Sequence, residues 1–436
     1  MNPKATTPPM GWNSWNCYGT TVTEAEVLAN AEYLARELLP LGWDTIVVDI
    51  QWYEPTAKAG GYNNDAPVVL DAWGRQLPAE NRFPSAAGGA GFGPLAAAVH
   101  ALGLRFGLHI MRGIPRVAVE QRLPVHGAAG ITAADIADTS SICAWNPDNF
   151  GLDHDHPGAQ LYYDAQVAQF ARWGVDFIKA DDMLAPYYAA EIEAYSRAID
   201  RSGRDIELSL SPGTALSLAH QPHLARNASA WRVSDDLWDR WDDVLAQFGR
   251  MARWAPFQRE GAWADADMLP LGRIGVRAER GTDRLSLLTA DEQRTLMTLW
   301  CISRSPLMFG GDLPSTPAET LALLNNPDVL AMHRASSGQR ELMREDNVVL
   351  WSSRATDRSA DYVAVFNTGQ SACEVRIAVS ALGLSAGRHP HDPVLDLWTT
   401  ADVHCSGDYL ESVLPAHGAV LLRFDRADDG AGRAVR

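Results

Sequence analysis

Three stretches of the chain share one grammar: a helix-period apolar segment, a glycine at its end, then a β-rich run closing on polar residues. The first runs through Leu38 and Leu41 to Gly42, then Trp43-Asp-Thr-Ile-Val-Val-Asp49. The second turns at Leu102-Gly103 into Leu104-Arg-Phe-Gly-Leu-His109-Ile110, the third at Trp173-Gly174 into Val175-Asp-Phe-Ile-Lys179-Ala-Asp181-Asp182. Glycine after a helix supplies the left-handed C′ position. Helix alternating with buried strand implies parallel βα units. Thr23 and Glu26 make a capping box for the first helix, whose apolar face is Val27, Leu34 and Leu38. Further strands are read at Met10–Asn16, Ile206–Ser211, Ala230–Val233, near Trp263 and at Leu299–Met308. About eight units in roughly 320 residues match a (β/α)8 TIM barrel with insertions. A doubly wound sheet is the alternative, but no GxGxxG follows the first strand and no GxxxxGK[ST] exists. Gly88–Gly93 is read as a loop. A helix after Asp236 carries Trp238, Trp241, Leu245, Phe248 and Met251 at helical spacing, which assigns these tryptophans to the core.

Past about residue 330 the texture changes. Asn347–Ser353, Asp361–Asn367, Cys373–Val379 and Gly418–Phe424 are short strand-like runs between turn signals. The organisation read from this is α/β: residues 1–330 a catalytic barrel, 331–425 a small C-terminal antiparallel β-sandwich, 426–436 a flexible tail. Of the 436 residues 46% are hydrophobic and 21% charged, enough for a real core. Lys plus Arg number 37 against 54 Asp plus Glu, so the net charge is −17. A chain this acidic has no phosphate-neutralising excess, which argues against nucleic acid or an anionic membrane as partner. No run of 18 apolar residues occurs, so no membrane-spanning helix is expected. The five cysteines are scattered without a CxxC, as suits reduced thiols, and no apolar stretch marks the N-terminus. Both point to the cytoplasm.

In a barrel of this kind the C-terminal strand ends face the active site. Here they carry Asp49, His109, Lys179 with Asp181 and Asp182, Arg232 with Asp235 and Asp236, and Asp265 with Asp267. Carboxylates gathered at one mouth repel one another, so function or a cation must require them. One use is a divalent cation held with His109; the other is paired carboxylates for glycoside hydrolysis. Lys179 and Arg232 beside the two best aspartates favour the second, since a neighbouring cation keeps a nucleophilic carboxylate ionised.

Five segments in order carry a sharper signal. They are Met10-Gly-Trp-Asn-Ser-Trp-Asn16, Phe177-Ile-Lys-Ala-Asp181-Asp, Trp231-Arg-Val-Ser-Asp-Asp236, Trp263-Ala-Asp-Ala-Asp-Met-Leu269 and Trp300-Cys-Ile-Ser-Arg-Ser-Pro-Leu-Met-Phe-Gly-Gly311. Together they resemble glycoside hydrolase family 27, the clan D α-galactosidase family, over residues 8 to about 330 and more weakly through the C-terminal domain. The resemblance implies a (β/α)8 barrel with a C-terminal β-sandwich and hydrolysis of terminal α-galactosides with retention. It implies Asp181 as nucleophile and Asp236, four residues after Arg232, as acid/base, with Asp235 the competing candidate. It further implies sugar contacts from Trp15, Asp49, Lys179, Arg232 and Asp267.

Four departures from the family pattern are informative. The second strand ends in Asp49-Ile50 instead of Asp-Asp, and His109 stands where a tyrosine is usual. Met183 replaces a cysteine after the nucleophile motif, and Ser211-Pro-Gly-Thr214 lacks the usual Cys-x-Trp. Ile50 matters most. The second Asp serves the hydroxymethyl end of galactose, and losing a buried partner costs about 1–3 kcal/mol. An apolar residue there suits a sugar without that arm, such as β-L-arabinopyranose. The resulting expectation is a retaining exo-glycosidase acting with water and no cofactor or metal. An α-galactosidase comes first, a β-L-arabinopyranosidase second, an α-glucan-acting member third, and a non-catalytic sugar-binding barrel is the reading from a different class.

Other residues have plainer readings. Asp182 is read as a helix N-cap, and Asp239, Asp242 and Asp243 as the solvated face of a helix. Asp153-His154-Asp155-His156 is read as a loop or cap rather than a metal cluster. Arg112 and Arg116 either reach the site or tie down a loop. Trp43, Trp52, Trp73 and Trp145 are candidates for a sugar-stacking rim, most of them packing.

Overall fold

A computed structural model describes residues 5–64, 66–385, 394–403 and 405–425, so the tail expected at 426–436 lies outside the described residues. The chain forms two compact units: residues 1–239, 259–286 and 306–321 in one, and 240–258, 287–305 and 322–436 in the other.

The first unit carries eight parallel strands: β1 (Met10–Asn13), β2 (Thr45–Val48), β3 (Arg105–Met111), β4 (Phe177–Asp181), β5 (Glu207–Leu210), β6 (Ala230–Arg232), β7 (Trp263–Asp265) and β8 (Leu307–Phe309). They pair in chain order, and β8 returns beside β1. A parallel bridge from Leu269, just past β7, to Phe309 of β8 joins the two ends, which makes the sheet the (β/α)8 barrel that the repeats imply. The strands are short and buried on both faces, as in β2, where every residue is buried. Each chain turn into β2 and β4 needs a left-handed residue, and Gly42 and Gly174 supply it at φ 98° and 86°. The capping box of the first helix (Glu24–Glu37) is formed: Thr23 N–H donates to Glu26 at 2.9 Å and Glu26 N–H to the Thr23 hydroxyl at 3.4 Å.

Three local expectations fail for physical reasons. Leu299–Met308 is not one strand: Ala290–Ser303 is a helix and only Leu307–Phe309 is extended. That helix is buried on every side over its last two turns, so its apolar run has no helical alternation to betray it. The helix after Asp236 begins only at Trp241, so Trp238 is core without being helical, and Leu245 faces outward. Within the glycine-rich loop, Pro84–Gly89 is a 3₁₀ segment, and a helix opens at Gly93.

The second unit holds the helices Trp241–Trp254 and Ala290–Ser303 and an antiparallel domain. Its main sheet orders Ser336–Glu345, Val348–Ala355, Ala360–Asn367, Ala419–Asp425, Val394–Asp396 and Asp402–Val403. Cys373–Ala378 pairs with Tyr409–Leu414 in a second sheet. Val363, Leu422 and Phe424 of one sheet share a core with Val375, Ile377 and Leu410 of the other, a sandwich. Ser336–Glu345 escapes sequence reading because it is a half-exposed edge without one β-branched or aromatic residue.

Candidate active site

Every candidate from the strand ends lies at the same mouth of the barrel. Asp49 follows β2, His109 is in β3, Lys179 and Asp181 are in β4, Arg232 ends β6, and Asp267 follows β7. Trp15 opens a one-turn helix after β1.

Two ion clusters organise the polar half. In the first, Lys179 Nζ lies 2.8 Å from Asp49 Oδ2, which also accepts from Asn13 Nδ2 at 2.7 Å. Asp49 is aimed by its own backbone, since its N–H donates to the Ser14 hydroxyl at 3.0 Å and its Oδ1 accepts from Ile50 N–H at 2.9 Å. Burial pushes the Asp49 carboxyl up, but Lys179 and His109 outweigh it and hold the group below its ordinary range. In the second cluster, Arg232 Nη1 is 2.8 Å from Asp267 Oδ1, and Nη2 is 3.3 Å from Asp236 Oδ1. Asp267 also accepts from Leu237 N–H at 2.6 Å, and its own N–H donates to Asp265 at 2.8 Å. Burial, with Asp236 and Asp265 close by, pushes the Asp267 carboxyl up against the pull of Arg232. Gly213 lets the loop after β5 approach this cluster: a Cβ there would meet the Arg232 carbonyl at 1.7 Å.

Asp181 sits between the clusters. Its Oδ2 accepts from His109 Nε2 at 3.0 Å and its Oδ1 from Asp182 N–H at 2.9 Å. Burial would raise this carboxyl, but the His109 hydrogen bond, Lys179 and the Asp182 N–H together hold it well below the usual carboxylate range. His109 is 1% exposed, and its Nε2 faces this carboxylate. Of the competing pair after β6, Asp236 lies against Arg232, whereas Asp235 is exposed and accepts from Asp236 N–H at 3.0 Å.

The other half of the site is apolar. Trp15, Ile50, Met111, Cys143, Phe177 and Met268 form one buried cluster, with Tyr62 and Trp145 packed on it. Tyr62 stacks on Trp15 at 5.4 Å and 19° and touches Trp145 at 5.1 Å. Burial raises the Tyr62 hydroxyl, reinforced by the negative charge of Asp236, Asp181, Glu279 and Asp49. Sequence reading missed Tyr62, Met111 and Cys143; the only hint was an aromatic after Gly60-Gly61 in a long βα loop. Of the four rim tryptophans, Trp145 alone belongs to this cluster; Trp43 and Trp52 are wholly buried, and Trp73 is exposed beside His126.

Some plain readings change and others hold. Asp182 caps no helix: the next one starts at Ala189, and Asp182 is buried at φ 59° with Oδ2 2.8 Å from Arg112 Nε. Asp239 is not solvated but buried in a two-point pair with Arg284, at 2.6 and 3.0 Å. His156 caps the helix Pro157–Trp173 by accepting from Gly158 N–H at 3.0 Å, and His154 pairs with Glu191 at 2.9 Å. Arg112 ties down the segment after Asp181, and Arg116 packs over the Phe150 ring.

Known proteins share this fold and sequence pattern. Residues 152–335 match the family described as alpha galactosidase A, and residues 345–424 match the alpha galactosidase C-terminal beta sandwich domain. Among curated proteins the chain is 26% identical over 440 residues to alpha-galactosidase D of Emericella nidulans, covering 96% of this chain and 56% of that one. It is 24% identical over 431 residues to alpha-galactosidase 2 of Arabidopsis thaliana, covering 98% and 91%. Among solved structures, a family 27 β-L-arabinopyranosidase from Geobacillus stearothermophilus is 47% identical, with a TM-score of 0.93 and 98% of each chain covered.

Proposed function

The chain belongs to glycoside hydrolase family 27, and from that premise we propose that it is a retaining exo-glycosidase releasing β-L-arabinopyranose. Asp181 is the nucleophile in this reading. Its carboxylate attacks the anomeric carbon while Asp236 gives its proton to the departing glycosidic oxygen. Asp236 then takes a proton from water, whose oxygen displaces Asp181 from the same carbon. Asp49, Lys179, Arg232 and Asp267 hold the ring hydroxyls, and Trp15 packs on the ring face. Asp236 rather than Asp235 is the acid/base because it alone of the two lies against Arg232 within the cluster.

The observation that carries the choice of sugar is Ile50. It is 2% exposed in an apolar wall with Trp15, Met111 and Cys143, which offers a C6 hydroxyl no carboxylate partner from this position. A sugar that ends in a ring methylene there fills an apolar wall at no hydrogen-bonding cost. The similarity to a β-L-arabinopyranosidase supports placing this sugar ahead of the α-galactoside, the reverse of the order expected from the sequence, while the curated α-galactosidases stand at about half that identity. The test is a panel of p-nitrophenyl glycosides. The β-L-arabinopyranoside is expected to exceed the α-galactoside in kcat/KM by about tenfold or more. Equal rates, or a faster α-galactoside, would remove Ile50 as the selector.

His109 gives a pH prediction. Its hydrogen bond favours the ionised Asp181, so His109→Phe raises that carboxyl toward its ordinary range. Less of the nucleophile is then ionised at low pH, and the acidic limb of kcat/KM moves to higher pH. Rates from pH 3 to 7 check it; an unmoved limb means that His109 serves the sugar instead.

A further inference from the structure

We infer that Arg112 is a positioning residue for the Asp181 carboxylate, acting through Asp182 and not on the sugar. The inference rests on the reading of Asp181 as nucleophile. Arg112 follows β3 and is 3% exposed. Its backbone N–H donates to the Asp181 carbonyl at 3.2 Å. Its Nε donates to the Asp182 carbonyl at 3.0 Å and lies 2.8 Å from Asp182 Oδ2. The guanidinium in turn lies 3.8 Å from the Tyr188 ring centre, and its Nη1 is 3.8 Å from Glu191. Glu191 accepts from the Tyr163 hydroxyl and pairs with His154, so the far end of the clamp is itself fixed.

What this bracing holds is an unusual backbone. Asp182 stands at φ 59°, a left-handed conformation that side chains adopt at a cost. That conformation accompanies the 2.9 Å hydrogen bond from Asp182 N–H to Asp181 Oδ1. The two oxygens of Asp181 are therefore set by His109 on one side and by a braced peptide on the other. A buried ion pair adds little stability, because desolvation cancels most of the Coulombic gain. One rigid guanidinium holding a carbonyl and a carboxylate of the same residue instead supplies orientation.

Two variants test the inference. Arg112→Lys keeps the buried charge but offers a point charge on a flexible stem. Arg112→Gln with Asp182→Asn removes both charges together and strands neither. Thermal melts set the assay temperature below the unfolding of each, and both glycosides of the panel are used so that the better substrate is read. The expected result is a fall in kcat of between about 10- and 100-fold, the effect of a nucleophile misplaced by about an ångström. KM stays within about threefold, because no sugar contact is removed. A structural role alone lowers the melting temperature of Arg112→Lys and leaves its kcat unchanged. The inference is overturned by a folded variant with kcat within about threefold of wild type, or by a loss confined to KM. Asp181→Asn, assayed alongside, separates the failures. If it stays active the nucleophile reading has fallen; if it is inactive while the folded Arg112 variants keep wild-type kcat, only the clamp has.

Discussion

Asp181→Asn is expected to lower kcat by at least about 10⁴-fold while the protein stays folded. Asparagine keeps the shape of the side chain and an oxygen for one of the two donors, Asp182 N–H or His109 Nε2, that now hold the carboxylate. It lacks the negative charge that attacks the anomeric carbon, so no glycosyl-enzyme forms. Lys179 retains Asp49 at 2.8 Å, and Arg232 retains Asp267 at 2.8 Å, so both ion clusters survive the change. A second variant gives the positive control. Asp181→Gly opens space where the carboxylate stood, and azide added there attacks the same face of the anomeric carbon. The product is then a glycosyl azide of configuration opposite to that of the substrate, and turnover of an activated aryl glycoside rises with azide concentration. Wild-type turnover by a folded Asp181→Asn protein sinks the double-displacement reading outright.

The polar half of this site is legible in the sequence because strand ends are local features. A helix, a left-handed glycine and a short apolar run place Asp49, His109 and Lys179 at one mouth before any tertiary contact is known. What each then touches is a matter of register between strands. His109 and Lys179 are direct neighbours across β3 and β4, yet the first reaches Asp181 and the second Asp49. No spacing within one strand contains that division. The apolar half is less legible still, for Tyr62 and Cys143 come from long loops whose closure is set by packing on Trp15 and Ile50. Asp182 and Asp239 mislead for the opposite reason. Each sits where a capping or solvated role is locally natural, and each is drawn inward by an arginine from a distant segment, Arg112 and Arg284. In the C-terminal domain the four runs read as strands are found to within about two residues, the usual uncertainty of a strand end. Ser336–Glu345, Tyr409–Leu414 and the short Val394–Asp396 and Asp402–Val403 are not.

Ile50→Asp is expected to raise the ratio of kcat/KM for α-galactoside over β-L-arabinopyranoside by about 100-fold. The two substrates respond in opposite directions. Galactose brings a C6 hydroxyl to the new carboxylate and gains a charge-assisted hydrogen bond. Arabinopyranose brings none, so binding it traps a carboxylate against Trp15, Met111 and Cys143 with nothing from the sugar to replace water. The neighbouring Asp49 sharpens the contrast, since its Oδ2 is already committed to Lys179 and Asn13. A second acid beside it would stand in a wall whose clustered side chains carry no cation. Ile50→Asn separates charge from hydrogen bonding: it offers the C6 hydroxyl a partner without adding like charge next to Asp49. If hydrogen bonding is the selector, Asn shifts the ratio in the same direction as Asp with less loss of arabinopyranosidase activity. An unchanged ratio in both variants moves the choice of sugar away from position 50 and onto Met111 and Cys143, which line the same wall.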